Sequence, residues 1–266
     1  MTGRNRSPAR TDFEQPAAAD GAVAMKKIRK RFGGRIALDR AELCLHQGSI
    51  LVLVGDNGAG KSTMLKILAG VLKPDAGEIV IRGRKAVIES PAASRGLGIE
   101  MVYQDLSLCE SMSVWENLFL GRYATRGLIA SWLPILDKGR MARETAVVLA
   151  GLGIRLPDVH RPVGHLSGGE RQAVAIGRCL LFHPRIVLLD EPTASMALWE
   201  REKILDLIRL LKEQGCAIIM VTHNLGELFK VADRAAVLKE GRTIWQGALA
   251  GMAPDDLARM MFLGKV

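Results

Sequence analysis

The stretch Gly55-Asp56-Asn57-Gly58-Ala59-Gly60-Lys61-Ser62-Thr63 lies between a strand-like segment and a helical one. The apolar run Ile50–Val54 precedes it, and apolar residues at helical spacing follow over residues 64–71. The pattern G-x-x-x-x-G-K-[ST] is that of a phosphate loop, whose glycines let backbone N–H groups curl around a polyphosphate at a helix N-terminus. It predicts that Lys61 bridges phosphate oxygens and that the Ser62 hydroxyl ligates Mg²⁺.

The length and the cysteine content set the broad class of the protein. A chain of 266 residues can bury a substantial core as one large α/β domain or as two small ones. Its four cysteines are widely spaced without a C-x-x-C pair, which fits reduced cytoplasmic thiols better than a zinc site or disulfides. The longest apolar runs have the length of strands, and the N-terminus lacks the apolar segment of a signal peptide, so neither a membrane span nor export is expected.

The net charge of +9 is concentrated near the N-terminus, where ten Lys and Arg residues stand against four acidic residues in the first forty positions. A basic cluster at residues 26–31 can meet nucleic acid or anionic lipid, but alternating charge along an edge strand more often serves solvation. We therefore expect no nucleic-acid partner.

The N-terminal part of the chain divides into a tail and a series of strands. Residues 1–22 are rich in Arg, Ser, Pro, Ala and Asp without periodicity, which predicts a disordered tail before one folded domain over 23–266. Phe32 can stack on an adenine or belong to the core. Strand-like runs predict a nucleotide-binding core with an antiparallel flank, and they lie at residues 23–32, 36–45, 50–54 and 78–81.

The middle of the chain combines a polar strand end with helical signals. Residues 98–108 read as a strand followed by Gln104, which can orient a water or a metal ion but also commonly caps a helix or faces solvent. Helical patterns and turn residues over 110–165 predict a helical subdomain, which we place at about residues 105–180.

A second glycine turn opens a helix at residues 166–172. Its serine hydroxyl and free N–H groups form either a second anion site or an ordinary capped helix start. The residues of this turn are Ser167, Gly168, Gly169 and Glu170.

Two later strands end in polar residues that suit catalysis. The apolar run 185–189 leads into Asp190 and Glu191, and the run Ala217–Val221 is followed shortly by His223. Since parallel strands open onto one crevice at their carboxyl ends, the two acids are expected to face it. His223 can reach the same crevice, although a lone histidine is usually structural. Asp190 suits Mg²⁺ through its water shell, and Glu191 suits the deprotonation of an attacking water, with helix N-capping as the alternative for one of the two.

The remaining C-terminal elements are structural in character. An amphipathic helix over 201–214 has one apolar face, which predicts packing on a sheet. A hairpin around Gly241 and a terminal helix over 252–263 complete the expected domain.

In order and spacing these motifs resemble the nucleotide-binding domain of ABC (ATP-binding cassette) ATPases over about residues 24–245. The serine-glycine-glycine turn with a paired-acid strand shortly downstream is the most specific part of the resemblance. It implies an α/β fold: a phosphate-loop NTPase core with a mainly parallel sheet, an antiparallel β flank and a helical subdomain. It also implies an ATPase that uses ATP and Mg²⁺.

The resemblance implies a role for each motif residue. Phe32 would stack on adenine, and Gln104 would approach the metal and the attacking water. Asp190 would assist Mg²⁺, Glu191 would be the general base, and His223 would contact the γ-phosphate. The residues that hold the phosphates and Mg²⁺ would be Gly55, Asn57, Gly58, Ala59, Gly60, Lys61, Ser62 and Thr63.

In this family the glycine turn that begins at Ser167 completes the site of the opposite protomer, with Gly169 as its second contact. Hydrolysis therefore implies a head-to-tail dimer of the chain with itself or with a related subunit. ATP closes that dimer and hydrolysis reopens it, which drives two membrane permease subunits from the cytoplasmic face of the membrane. An extracytoplasmic solute-binding protein would be an indirect partner.

Four stretches resemble the monosaccharide-importer branch in its single-cassette form: residues 55–63, 102–108, 113–121 and 172–177. One alternative is an importer of another small solute. Another is a soluble ABC ATPase acting on nucleic acid or ribosomes, which the lack of a heptad run or a second cassette disfavours. Ala197 stands where the family usually has a loop aspartate, which puts tight coupling between the two sites in doubt.

Overall fold

The computed structural model describes residues 21–103, 107–128, 134–154, 156, 158–194 and 196–264. The strands are β1 (Gly21–Phe32), β2 (Arg35–His46), β3 (Ile50–Val54), β4 (Ala76–Ile81), β5 (Arg84–Ala86), β6 (Ile99–Val102), β7 (Thr125–Leu128), β8 (Pro134–Leu136), β9 (Ile186–Asp190), β10 (Ala217–Val221), β11 (Arg234–Lys239) and β12 (Arg242–Ala248). The helices are α1 (Lys61–Leu68), α2 (Pro91–Gly96), α3 (Val114–Phe119), α4 (Lys138–Gly151), α5 (Gly168–Leu180), α6 (Leu198–Glu213), α7 (Leu225–Val231) and α8 (Pro254–Leu263). Within the described ranges, no helix has the length and apolar character needed to cross a bilayer.

Two predictions from the sequence concern residues that lie partly or wholly outside these ranges. The expected tail over residues 1–20 and the expected site residue Gln104 lie outside the described residues. The tail prediction was wrong at residues 21 and 22, because β1 begins at Gly21 and pairs with both β2 and β4.

The central sheet brings three loops to one edge. Its strand order is β12-β11-β3-β10-β9-β6, and every pairing except β11 with β12 is parallel. β3, β9 and β10 are apolar and buried throughout, since α1 packs on one face of the sheet and α5 and α6 pack on the other. Val221 at the end of β10 pairs with Leu53 of β3 on one side and with Asp190 of β9 on the other. The loops after these strands therefore leave side by side, where α/β sheets bind ligands.

A second, antiparallel sheet forms the predicted flank in the order β2-β1-β4-β5. Its apolar face shares a core with α1 and with one face of the central sheet. Side chains of β12 tie the two sheets together, because Thr243 Oγ1 accepts from the Glu42 N–H at 3.1 Å and Gln246 Oε1 accepts from the Cys44 N–H at 3.0 Å. The second half of β2 is thereby held against β12.

The segment between β6 and β9 builds a third apolar core from α3, α4, α5 and the short 3₁₀ turn Val163–His165. Helices α3 and α4 occupy stretches predicted to be helical. The segment is not helical throughout, because β7 and β8 form an antiparallel pair within it. The helical subdomain expected over about residues 105–180 stays a prediction, which this separate core supports.

Candidate functional site

The phosphate loop connects β3 to α1 through three glycines in the left-handed region. Gly55, Gly58 and Gly60 have φ values of 143°, 81° and 107°. A Cβ on Gly55 would lie 2.0 Å from the Leu238 carbonyl oxygen, and one on Gly60 would lie 2.7 Å from that of Ala37. Backbone conformation and close packing therefore both require glycine. Gly60 also caps α1 without a side chain, which leaves the first N–H groups of the helix available to an anion.

Lys61, the first residue of α1, is only 7% exposed. Its Nζ donates to the carbonyl oxygen of Gly55 at 2.6 Å and to that of Asp56 at 2.9 Å. Burial lowers the pKa of Lys61, and the carboxylates of Glu191, Asp56 and Asp190 counteract that shift. The loop carbonyls thus hold the ammonium group within the phosphate loop, as a point charge suited to phosphate oxygens.

Ser62 and Asp190 meet across the carboxyl edge of the sheet. Ser62 Oγ donates to Asp190 Oδ1 at 3.2 Å. Burial raises the pKa of Asp190, and the hydrogen bond from Ser62 lowers it. A hydroxyl and a carboxylate are hard oxygen ligands of the kind that Mg²⁺ takes together with phosphate and water, so the pair fits this ion. In the described part of the chain, no group of three or more His, Cys, Asp or Glu side chains is arranged to hold a metal by itself.

Glu191 and His223 face each other from adjacent loops. Glu191 Oε1 lies 3.7 Å from His223 Nδ1. The Glu191 N–H donates to the Val221 carbonyl at 3.0 Å, while its backbone has a φ of 51°, in the left-handed region. A non-glycine residue held there costs about 1–3 kcal/mol, and such strain clusters at functional sites. Neither acid caps a helix: Asp190 bonds Ser62, and α6 has Ala197 as its N-cap.

A single open cleft of about 870 Å³ gathers most of these side chains. Phe32, at the end of β1, lines it with 46% of its surface exposed, and Lys30 Nζ lies 5.7 Å from the centre of its ring. The predicted site residues that line the cleft are Phe32, Gly55, Asn57, Gly58, Gly60, Lys61, Ser62, Thr63, Glu191 and His223.

The cleft also has lining residues that the sequence analysis missed. Arg35 comes from the start of β2, and Met261 and Phe262 come from α8, near the opposite end of the chain. Nothing in the local pattern of α8 points to a ligand, since only tertiary packing brings this helix to the phosphate loop.

The second glycine turn, at residues 167–170, lies outside the phosphate-loop cleft. Ser167 is the N-cap of α5 and forms a capping box: its Oγ accepts from the Glu170 N–H at 3.2 Å, and Glu170 Oε2 accepts from the Ser167 N–H at 2.8 Å. The Gly169 N–H donates to Glu200 Oε1 at 3.2 Å. Ser167, Gly169 and Glu170 line a groove against the first turns of α6 and not the phosphate-loop cleft. One copy of the chain therefore does not bring the two glycine motifs together.

Glu227 is a buried acid that the sequence analysis also missed, and it joins the loops that carry Glu191 and His223. It is 6% exposed, and its carboxylate accepts from Thr193 Oγ1 at 2.5 Å and from Asn224 Nδ2 at 3.1 Å. Thr193 follows Glu191 by two positions, and Asn224 follows His223 directly.

Two further contacts complete the surroundings of Glu227. Arg201 Nη1 of α6 lies 3.3 Å from Glu227 Oε1. Asn224 is the N-cap of α7 and accepts from the Glu227 N–H at 3.3 Å. The Asn-x-x-Glu spacing at a helix start was the available sequence signal for this arrangement.

Comparison with known proteins gives the family. The model of the ABC transporter family matches residues 38–194. The xylose/arabinose import ATP-binding protein XylG of Sulfolobus acidocaldarius is 39% identical over 92% of this chain and 96% of its own. The fructose import ATP-binding protein FrcA of Rhizobium meliloti is 38% identical over 85% of this chain and 88% of its own.

A solved structure of similar fold is the dimer of a bacterial ABC transporter cassette. It superposes with a TM-score of 0.72 at 26% identity and covers 86% of this chain and 100% of that chain. Because the family match spans more than half of the sequence and the relatives align over most of both chains, this protein belongs to the ABC transporter family, as one of its ATP-hydrolysing ATP-binding subunits.

Proposed function

We propose that the cleft at the carboxyl edge of the central sheet is the site of ATP hydrolysis, with roles divided among the residues that line it. One observation carries this proposal: the phosphate-loop lysine, Glu191 and His223 line the same cleft as the exposed ring of Phe32. The loop N–H groups and Lys61 hold the phosphates. Phe32 provides an apolar surface for the adenine.

Glu191 is the proposed general base. Its carboxylate takes a proton from the attacking water as the water oxygen bonds to the γ-phosphorus and the bond to the bridging oxygen breaks. His223, 3.7 Å from Glu191, orients that carboxylate and contacts the γ-phosphate. The hydrogen bonds of Glu227 to Thr193 and Asn224 fix the loop that carries Glu191 relative to the loop that carries His223.

Ser62 and Asp190 are the proposed Mg²⁺ residues, with Asp190 acting through a coordinated water. A bound Mg²⁺ neutralises charge on the phosphate oxygens. Gln104, outside the described residues, is the third residue that we assign to the metal and the attacking water.

The active form is proposed to be a head-to-tail dimer of this chain with itself or with a related subunit. The separation of the Ser167 groove from the phosphate-loop cleft supports this, because a second copy has to supply the missing glycine turn. Exposed Leu198 and Trp199, beside that groove at the start of α6, give the same face apolar area to bury.

The transported solute is proposed to be a monosaccharide, taken up through two permease subunits that this chain serves from the cytoplasmic face of the membrane. The names of the XylG and FrcA relatives support import of simple sugars. A solute-binding protein outside the membrane would deliver the sugar. An importer of another small solute would use the same ATPase chemistry.

The hydrolysis step is tested by phosphate release from the purified chain and from its Glu191→Gln variant. We expect turnover to fall by about 100-fold or more, since general bases contribute that much, with ATP binding retained. Glu213→Gln, an exposed acid at the end of α6, is the matched control and should keep full turnover. A wild-type chain that turned over no faster than Glu191→Gln would contradict the proposal.

The transport role is tested by holding tagged Glu191→Gln in ATP and extracting membranes in mild detergent. Recovery of a polytopic membrane subunit, together with loss of uptake of a labelled monosaccharide in cells lacking this chain, would support sugar import. Loss of amino-acid uptake alone would favour another solute. A soluble ATP-bound dimer without a membrane subunit, or one that carries nucleic acid, would contradict the importer assignment.

A further inference from the structure

Phe262 is a large apolar side chain that lines the nucleotide cleft with 70% of its surface exposed. It lies in the last turn of α8, whereas Phe32 reaches the same cleft from the end of β1. Most apolar side chains of this size are buried, so an exposed phenylalanine inside a ligand cleft leaves apolar area for a ligand to cover.

Packing of three neighbouring side chains of α8 fixes the position of Phe262. Leu257, Met260 and Met261 are buried in the core that covers the central sheet. Lys239 Nζ, at the end of β11, donates to the Phe262 carbonyl oxygen at 2.9 Å. The ring is therefore presented to the cleft by an anchored helix.

The cleft has two kinds of surface, one polar and positively charged and the other apolar and aromatic. The glycine loop and Lys61 offer N–H groups and positive charge, which suit phosphates. The rings of Phe32 and Phe262 offer apolar aromatic faces, which suit a neutral planar group. A nucleotide base has such a π-face, and stacking of a base on an aromatic side chain tolerates every base.

We propose that Phe262 packs on the nucleotide base and gives it a second aromatic surface besides Phe32. This inference rests on the proposed function, because it takes the cleft to be the ATP site. Phe262 is assigned to binding the base and has no part in the hydrolytic step.

The test compares Phe262→Ala with Leu263→Ala by calorimetric titration of ADP and of inorganic tripolyphosphate. Leu263 is the matched control, since it follows Phe262 on α8, is 65% exposed and does not line the cleft. ADP is used because ATP is expected to close the dimer, and light scattering checks that the protein stays monomeric. Phe262→Trp tests rescue by another aromatic ring.

We expect Phe262→Ala to weaken ADP binding about tenfold, within the range of one lost base-stacking contact, and to leave tripolyphosphate binding unchanged. Leu263→Ala should bind both ligands as the wild type does, and Phe262→Trp should recover ADP affinity. The inference is overturned if Phe262→Ala binds ADP normally, loses both ligands equally, or is matched by Leu263→Ala. A folded wild-type chain that bound no ADP would instead overturn the proposed function, and this inference with it.

Discussion

The hydroxyl of Ser62 lies 3.2 Å from the carboxylate of Asp190, although 128 residues separate the two in the chain. The contact exists because β10 lies between β3 and β9, so the loop that follows β3 and the last residue of β9 open at one edge. It joins the phosphate loop to the acidic strand.

Removing the Ser62 hydroxyl should therefore weaken Mg²⁺ binding and leave the affinity for the nucleotide itself unchanged. We expect Ser62→Ala to lower the apparent Mg²⁺ affinity of the ATP complex by about 10- to 100-fold, since the variant loses a hydroxyl that we propose as a metal ligand. Calorimetric titration of ATP, with Mg²⁺ and with EDTA, measures the effect. Ser62→Thr keeps a hydroxyl and should keep the Mg²⁺ dependence, and equal Mg²⁺ responses in Ala and Thr variants would count against the assignment.

Replacing Glu227 by Gln should change turnover more than nucleotide binding. The variant loses the charge that faces Arg201 and one acceptor for Thr193 or Asn224, so the loops that carry Glu191 and His223 can shift. We expect kcat to fall about 10- to 100-fold with KM nearly unchanged, since small misplacements of catalytic groups cost that much. Steady-state phosphate release measures both constants.

The control for Glu227→Gln is again Glu213→Gln, which removes the same charge from an exposed position. Urea unfolding of both variants separates positioning from global stability. A Glu227→Gln protein whose kcat matched the wild type would show that the hydrogen bonds of Glu227 serve stability alone.

Giving α6 a capping side chain should stabilise the protein. Ala197 is the N-cap of this helix, has an extended backbone and makes no side-chain hydrogen bond to it. Ser at this position can accept from a first-turn N–H, so we expect Ala197→Ser to raise the free energy of unfolding by about 1 kcal/mol. Urea denaturation measures the gain. Ala250→Ser, at an exposed turn, should be neutral, and an equal gain there would show that capping is not the cause.

The four cysteines should differ in their reactivity toward a thiol reagent in the native protein. Cys109 is exposed, whereas Cys179 and Cys216 are buried. Burial raises the pKa of Cys179 to about 12 and also raises that of Cys216, so at pH 8 both stay protonated and unreactive. We expect the fastest reaction from Cys109, which Cys109→Ser abolishes, a slower one from the half-buried Cys44, and reaction of the buried pair only after unfolding. Fast labelling of Cys179 in the folded protein would contradict this burial.

The sequence predicted the features whose cause is local. Continuous apolar runs predicted β3, β9 and β10, because strands that are buried on both faces consist of apolar residues. The glycine spacing likewise predicted the phosphate loop, since a Cβ on Gly55 or on Gly60 would collide with a backbone carbonyl oxygen. The capping box at Ser167 and the hairpin around Gly241 also follow from short-range rules.

The strand order and the packing of α7 and α8 decided which distant segments share the cleft, although the family resemblance already implied that Ser62 and Asp190 serve one Mg²⁺. Pairing of β10 with both β3 and β9 brought Ser62 to Asp190, and no rule of propensity sets that order. Because α8 packs on the central sheet, Phe262 lines the same cleft as the phosphate loop. Glu227, on α7, is buried where it bonds both Thr193 and Asn224. Periodicity reports which face of an element is buried, whereas the identity of its neighbours depends on how all the faces are covered together.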